Sequence, residues 1–356
     1  MRELPLKDFW AKLGANFGGL GGAQCVANFG NPEAEYSALR NSAALCDFSF
    51  VRIAEFPESD GIDFLDGKLA ANILKLRYGR IIDTFLAYPD GRIAAEAFVA
   101  NIDDKVFAVL ESLEDSSGPL AEGGGRDATG DFAVLSADGP RAWEVAKDIF
   151  GSDIFNLPYL AVEKYEFEGE LAYLMRNGKT GEFGYSFAVP AANAEKLAQK
   201  LLESVRKAGG MPCGMDAHAV ARLESGFFNI YKEGKSVGNP IELCLQWMAD
   251  FSKDSFVGSG AIFKAREAGA SARITAVRGA GVKAGARVFD GGCDIGEVKV
   301  AMRSTQLGDN IGLALIKSDF AYPSLELSSA AGGEPDIFTV SRPMTVSESL
   351  VRGMQQ

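Results

Sequence analysis

A single carboxylate, Glu96, stands inside an otherwise apolar strand pattern. Residues 93–99 read IAAEAFV, and they follow the turn-forming residues Pro89, Asp90 and Gly91. Proline fixes one φ angle and glycine permits a positive one, so this stretch predicts a β-hairpin with Glu96 on its second strand. A carboxylate in an apolar strand is unfavourable unless it faces water, finds a partner or has a function. Glu96 is therefore either a solvent-facing side chain or a candidate for proton transfer and charge stabilisation.

Histidine and cysteine offer little further chemistry. The chain has one histidine, His218, and five scattered cysteines that form no Cys-x-x-Cys pair. The cysteines are interpreted as reduced, small apolar residues rather than as a disulfide framework. A zinc enzyme is not expected, and the sequence predicts no metal site. As a lone histidine, His218 is either a satisfied helix residue or a binding residue.

The composition describes an acidic globular chain. It has 356 residues, of which 47% are hydrophobic, and 36 basic against 48 acidic residues give a net charge of -12. This balance argues against nucleic acid and anionic membranes as partners, because both need clustered Lys and Arg. No apolar run is long enough to span a bilayer, and the N-terminus lacks a secretory pattern. We therefore predict a cytoplasmic protein.

The elements that must position these side chains alternate between helices and strands. Asn31 and Pro32 predict a helix start, and leucine and valine spaced four apart predict a helix over residues 194–208. A helix after residue 58 is expected to be capped by Ser59 or Asp60. The glycine-rich residues 14–22 lack a phosphate-loop ending and are predicted to be a flexible loop.

The last quarter of the chain changes in character. After residue 268 the pattern becomes short strands separated by turns, which is typical of a small sandwich or barrel. We therefore predict two parts, an α+β region over residues 1–268 and a β-barrel domain over residues 269–356.

Several motifs occur in an order that resembles one known family. They are FGNPEAEY at residues 29–36, DFL at 63–65, RLESG at 222–226, FSKDSFVG at 251–258, IGEV at 295–298 and LGDNIGLA at 307–314. This order is similar to the T-protein of the glycine cleavage system, the aminomethyltransferase family, over nearly the whole chain. The resemblance implies a three-lobed α+β fold, in which two α+β lobes surround a central channel and a C-terminal antiparallel β-barrel forms the third lobe.

The resemblance also implies chemistry and a catalytic residue. Members of the family transfer a one-carbon unit to tetrahydrofolate with the help of a carboxylate, so tetrahydrofolate is the implied cofactor. Matching the family glycine to Gly91 places Glu96 at the catalytic aspartate. A second register, which matches Gly79, would offer Asp83 instead. We prefer Glu96, because the hairpin turn then falls where the family has one.

Four further positions correspond to folate-binding positions of the family. Ser186 stands where the family has a pterin-binding glutamate, and His218 stands where it has an arginine. Glu182 lies in the same segment as Ser186, and Trp247 matches an aromatic residue that lines the channel. The implied partners are a small-molecule one-carbon donor and, as an option, a lipoyl carrier protein.

Two other functions fit the same resemblance. One is a non-enzymatic folate-binding protein related to iron–sulfur cluster assembly and repair factors, and the other is a folate-dependent demethylase of a small methylated compound. The cluster-related proteins carry a hallmark cysteine where this chain has Ser255. A hydroxyl cannot replace a thiolate in redox chemistry at neutral pH. The first hypothesis is therefore an aminomethyltransferase-like one-carbon transferase with Glu96 as its carboxylate.

Overall fold

The computed structural model describes residues 1–114 and 123–354. Within these ranges, no helix combines the length and the apolar character that crossing a membrane requires.

The described chain forms eight α-helices and nineteen strands. The helices are α1 Lys7–Lys12, α2 Pro32–Asn41, α3 Glu58–Lys68, α4 Ala142–Phe150, α5 Ala194–Lys207, α6 Met215–Ser225, α7 Ser259–Ala268 and α8 Glu348–Arg352. The first thirteen strands are β1 Asn16–Leu20, β2 Ala23–Asn28, β3 Ala44–Asp47, β4 Arg52–Pro57, β5 Arg80–Ala87, β6 Ile93–Ile102, β7 Lys105–Ser112, β8 Arg126–Asp127, β9 Phe132–Asp138, β10 Ala161–Phe167, β11 Glu170–Arg176, β12 Gly184–Pro190 and β13 Met211–Pro212. The last six are β14 Ala272–Arg278, β15 Arg287–Asp290, β16 Cys293–Ser304, β17 Asp309–Lys317, β18 Glu326–Leu327 and β19 Ile337–Val340.

Eleven strands form one curled sheet. Their order is β13-β3-β9-β12-β11-β10-β5-β6-β7-β4-β8, and every pair except β13 with β3 is antiparallel. The two halves of this sheet meet where β10 pairs with β5 through Ala161 and Arg80 alone. Because the halves are joined at one residue pair, they are free to curl toward each other and leave a cavity between them.

Six strands form a second, nearly closed antiparallel sheet. Their order is β15-β16-β17-β14-β19-β18, and a bridge between Phe289 and Ser328 connects its two edges. The fold is therefore α+β with a barrel-like C-terminal sheet, as the sequence predicted. The division at residue 268 falls between α7 and β14 and stays a prediction.

The central hairpin has the predicted form. β5 and β6 pair over residues 80–101, and Gly91 has a φ of +85°, which its missing Cβ permits. The predicted helix start is also confirmed, because the side chain of Asn31 accepts a hydrogen bond from the backbone N–H of Ala34 at 3.1 Å. Residues 194–208 contain α5, which differs from the prediction by one residue.

Two local predictions are wrong. Residues 14–22 are not a loop, because they contain β1, which pairs with β2 in a two-stranded ribbon around the turn at Gly21 and Gly22. Helix α3 begins at Glu58 rather than after Ser59 or Asp60, and no side chain caps its N-terminus. Pairing with β2 orders the glycines of β1, and at the start of α3 the backbone N–H of Glu58 donates to the backbone oxygen of Asp104 at 3.0 Å.

Candidate active site

A cavity lies between the two halves of the curled sheet and is closed at one end by α6. Its volume, counted as the space open to the centre of a water-sized sphere, is about 80 Å³. Its walls are mostly apolar and aromatic, and they include Phe48, Phe98, Phe107, Phe132, Tyr173 and Met175. Such walls suit a flat, largely apolar ligand.

Four charged side chains meet at the polar end of this cavity. Arg222 donates to both carboxylate oxygens of Glu96, at 2.6 and 2.5 Å, and to both oxygens of Glu111, at 3.2 and 3.1 Å. Lys179 donates to Oε1 of Glu96, and its Nζ lies 3.9 Å from Oε1 of Glu111. Two carboxylates therefore face two cations, and the cluster carries no net charge.

The strand register brings the two carboxylates together. Glu96 on β6 lies directly opposite Glu111 on β7, and residues opposite each other on antiparallel strands share a face. Arg222 reaches them from α6, and its Nε donates to the backbone oxygen of Phe228 at 2.6 Å, which fixes the guanidinium. Glu96 is 2% exposed, so it is not the solvent-facing side chain of the simpler interpretation.

Burial and charge oppose each other in this cluster. For Glu96, burial raises the pKa and outweighs the charges of Arg222 and Lys179, which lower it. For Glu111, burial would also raise the pKa, but Arg222 and Lys179 outweigh it and the pKa is lowered. Burial alone would lower the pKa of Lys179, yet Glu96 and Asp83 raise it. Two neighbouring carboxylates with pKa values displaced in opposite directions are typical of acid–base sites.

Two of the predicted binding residues line this cavity. His218 lies one helical turn before Arg222 on α6, and its ring meets Phe48 edge-on at 5.1 Å between centroids. Burial is the main cause that lowers the pKa of His218 to about 3, so the imidazole is neutral at neutral pH. Ser186 on β12 donates its hydroxyl to Oδ1 of Asn177 at 2.8 Å. Both side chains thus offer neutral polar groups to a ligand.

The structure does not bring the other two predicted binding residues to this cavity. Glu182 accepts hydrogen bonds from the hydroxyl and backbone N–H of Ser349, at 2.7 and 2.9 Å, and pairs with Arg40 at 3.3 Å. It therefore anchors α8, and it lies before β12, which begins at Gly184. Trp247 is 62% exposed and lies on a separate open groove. Asp83, the alternative catalytic residue, also lines that groove, but its charge still reaches Lys179 and raises the pKa of that side chain.

Sequence reasoning missed four charged residues of the cavity, namely Lys179, Arg222, Glu111 and Asp138. Asp138 ends β9 and lines the cavity, and its burial raises its pKa to about 7. Glu111 and Asp138 are each an acidic residue at the end of an apolar strand, where a carboxylate is less unusual than inside the strand, as at Glu96. Arg222 lies in a segment that is considered above only as a motif, and the contacts of Lys179 and Arg222 with Glu96 span 83 and 126 residues of chain.

Comparisons with known proteins agree on one family. Residues 6–253 match the model of the GCVT N-terminal domain. The aminomethyltransferase of Bacillus subtilis (strain 168) is 26% identical over 332 residues, which cover 90% of this chain and 92% of that protein. The aminomethyltransferase of Corynebacterium aurimucosum is 27% identical over 359 residues and covers 96% of each chain. The crystal structure of the glycine cleavage system aminomethyltransferase T from Bartonella henselae matches with a TM-score of 0.80 at 21% identity, over 97% of this chain and 98% of that one.

Proposed function

Because the chain belongs to the GCVT N-terminal domain family, we propose that it is an aminomethyltransferase-like enzyme that transfers a one-carbon unit to tetrahydrofolate. The observation that carries this proposal is the buried carboxylate of Glu96 at the polar end of an apolar cavity. The relatives that it matches over nine-tenths of its length are aminomethyltransferases.

The residues of the cavity fit a reduced folate. Aromatic walls suit a flat ring, and Ser186, Asn177 and His218 offer neutral polar groups near the charged cluster. One carboxylate oxygen of Asp138 is buried and has no hydrogen-bond partner among the described residues, so a ligand with N–H donors would satisfy it. When bound, tetrahydrofolate supplies the amine nitrogens that accept the one-carbon unit.

Glu96 is the catalytic carboxylate of this proposal. An ionised carboxylate next to the reacting amine can accept a proton and stabilise positive charge that develops there. Arg222 favours the ionised form of Glu96 and holds both of its oxygens, while Lys179 covers one of them. The apolar walls lower the local dielectric, which strengthens each of these interactions.

The same proposal includes the one-carbon donor and the cellular compartment. The one-carbon donor would be an aminomethyl group on a lipoyl carrier protein or on a small molecule. The reaction would take place in the cytoplasm, and the five free cysteines support a reducing compartment.

The test is product formation with the purified protein, tetrahydrofolate and an aminomethylated lipoyl carrier protein. We expect methylene-tetrahydrofolate and ammonia to form in equal amounts, and Glu96→Gln to abolish most of the rate while the folate affinity stays close to that of the wild type. Folate binding without product from either this donor or small aminomethyl and methylamine donors would contradict an enzymatic function. Formation of methylated folate from a methylamine alone would instead indicate a demethylase.

A further inference from the structure

The cavity contains a further buried acid, Asp138, that takes no part in the proposed transfer step. Asp138 is 1% exposed, and its Oδ2 accepts a hydrogen bond from the hydroxyl of Ser136. Its Oδ1 is fully buried and has no hydrogen-bond partner among the described residues. A buried carboxylate oxygen without a partner is costly, and in native proteins it usually marks a position that water or a ligand completes.

Two glycines make room for this oxygen. A Cβ atom at Gly184 would lie 2.6 Å from Oδ1 of Asp138, and a Cβ atom at Gly178 would lie 3.3 Å from it. The same two glycines face each other, because a Cβ at Gly178 would approach the Cα of Gly184 to 2.6 Å. Any side chain at residue 184 would therefore collide with Oδ1, and glycine is the residue that lets the carboxylate occupy this position.

The strand register relates Asp138 to the position where the family binds the pterin. β9 and β12 are antiparallel neighbours, with Asp138 opposite Gly184 and Ser136 opposite Ser186. Residues two apart on one strand point to the same face, as do residues directly opposite on neighbouring strands. Asp138 and Ser186 therefore share the cavity face, one on each of two adjacent strands.

This arrangement compensates for the absence of a carboxylate at residue 186. The hydroxyl of Ser186 donates to Asn177 and can make only a single contact with an amino-pyrimidine edge. A carboxylate accepts two parallel N–H donors, and Asp138 is the acid nearest in register to that position. Glu96 is the catalytic carboxylate of the proposed function, and Glu111 is held by Arg222 at 3.1 Å.

We propose that Asp138 binds the N–H edge of the pterin ring, accepting hydrogen bonds from the ring amino group and the adjacent ring N–H. This inference rests on the proposed function, since it concerns the folate of that reaction. The pterin would then be recognised from the end of β9, whereas the family recognises it from β12. Ser136 positions the carboxylate through a hydrogen bond, and Gly178 and Gly184 make room for it.

The experiment compares two ligands on three forms of the protein. The ligands are a dideazafolate and its analogue in which a methyl group replaces the ring amino group, and affinity is measured by calorimetry. The wild type should prefer the amino compound by at least about ten-fold, because the methyl analogue leaves the carboxylate oxygen of Asp138 without its donor. Asp138→Asn should lose most of this preference, because an amide keeps the shape but lacks the second acceptor. The double variant Asp138→Asn/Ser186→Glu should recover it.

A matched control separates recognition from damage to the core. Asp47 is also a fully buried aspartate, but it accepts hydrogen bonds from Trp10 and from the backbone N–H of Ser49, and it does not line the cavity. Asp47→Asn should keep the ligand preference of the wild type in whatever fraction folds.

The outcomes distinguish this inference from the function on which it rests. If the wild type binds reduced folate and Asp138→Asn keeps the full preference for the amino compound, the role of Asp138 is overturned while the proposed function stands. If the wild type binds neither tetrahydrofolate nor either test ligand, the proposed function and the role of Asp138 are both overturned. Loss of preference in Asp138→Asn but not in Asp47→Asn would support the inference.

Discussion

Arg222 donates to both carboxylate oxygens of Glu96, at 2.6 and 2.5 Å, although the two residues lie 126 positions apart in the chain. Both side chains are buried, with relative exposures of 2% and 3%. A buried ion pair is rarely a large source of stability, because desolvation offsets most of the attraction. Its effect here is to fix the position and charge of one carboxylate at the end of an apolar cavity.

Removing the charge of Glu96 should separate catalysis from binding. Glu96→Gln should lower the transfer rate by about 10²–10⁴-fold, the usual contribution of a positioned acid–base group. Stability should fall by at most about 3 kcal/mol, because Arg222 keeps Glu111 as a partner. Steady-state kinetics and denaturant unfolding measure the two effects. Glu111→Gln is the matched control. A larger rate loss in Glu111→Gln than in Glu96→Gln would show that Glu111, and not Glu96, is the catalytic carboxylate.

Lys179 should set the pH range in which Glu96 is active. Its ammonium group contacts Glu96 and lowers the pKa of that carboxyl against the effect of burial. In Lys179→Met the pKa of Glu96 should rise further, so the acid limb of the rate profile should move to higher pH. Lys179→Arg, which retains the charge, should leave that limb closer to its original position. Identical profiles for the wild type and Lys179→Met would show that Glu96 is not the titrating group.

Asp138 should make the protein without ligand less stable as the pH rises. Burial raises its pKa from 3.8 to about 7, so the folded state holds a proton that the unfolded state has already released. The contribution of Asp138 is therefore complete below about pH 4 and is lost by about pH 7, with a total change of up to about 4 kcal/mol. Asp138→Asn removes this titration. Denaturant unfolding at several pH values should show a smaller decline for the variant than for the wild type, and parallel curves would contradict the raised pKa.

His218 should have the opposite effect. Burial lowers its pKa from 6.5 to about 3, so the unfolded state binds a proton that the folded state excludes. Stability should consequently fall as the pH decreases from about 6.5 toward 3. His218→Gln should flatten the acid side of the stability curve relative to the wild type. An unchanged acid slope in the variant would indicate that the imidazole is protonated in the fold.

Glu182 should matter for stability rather than for folate affinity. It accepts hydrogen bonds from Ser349 and pairs with Arg40, outside the cavity. Glu182→Gln should loosen α8 and lower the unfolding free energy by about 1–3 kcal/mol. The dissociation constant for folate, measured on the folded protein, should stay within about two-fold. A loss of affinity without a loss of stability would restore the binding role that the sequence suggested.

The elements predicted correctly from the sequence are those that a few neighbouring residues determine. The hairpin around Gly91 and the helix start at Asn31 follow from residues that specify a turn or a cap within a few positions. The ribbon of β1 and β2 was missed because its glycines resemble a loop, whereas the turn at Gly21 packs closely against the backbone of Ser112.

The partners of Glu96 could not be predicted in the same way. Lys179 and Arg222 are separated from Glu96 by 83 and 126 residues of sequence. A pattern of neighbouring residues carries no information about contacts over such separations. Glu182 is predicted to bind the ligand because it lies in the same segment as Ser186. In the structure β12 begins only at Gly184, and Glu182 contacts Ser349 of α8 instead. Only the topology shows which side of a strand a neighbouring residue occupies.

Calorimetric titration of the wild-type protein with tetrahydrofolate tests the central claim most directly. The proposed function predicts one site per chain with micromolar or tighter affinity, retained in Glu96→Gln and weakened at least about ten-fold in Asp138→Asn. The absence of detectable heat with both tetrahydrofolate and 5-formyltetrahydrofolate, on protein shown to be folded, would contradict it. The cavity would then serve a different ligand, and the fold alone would remain.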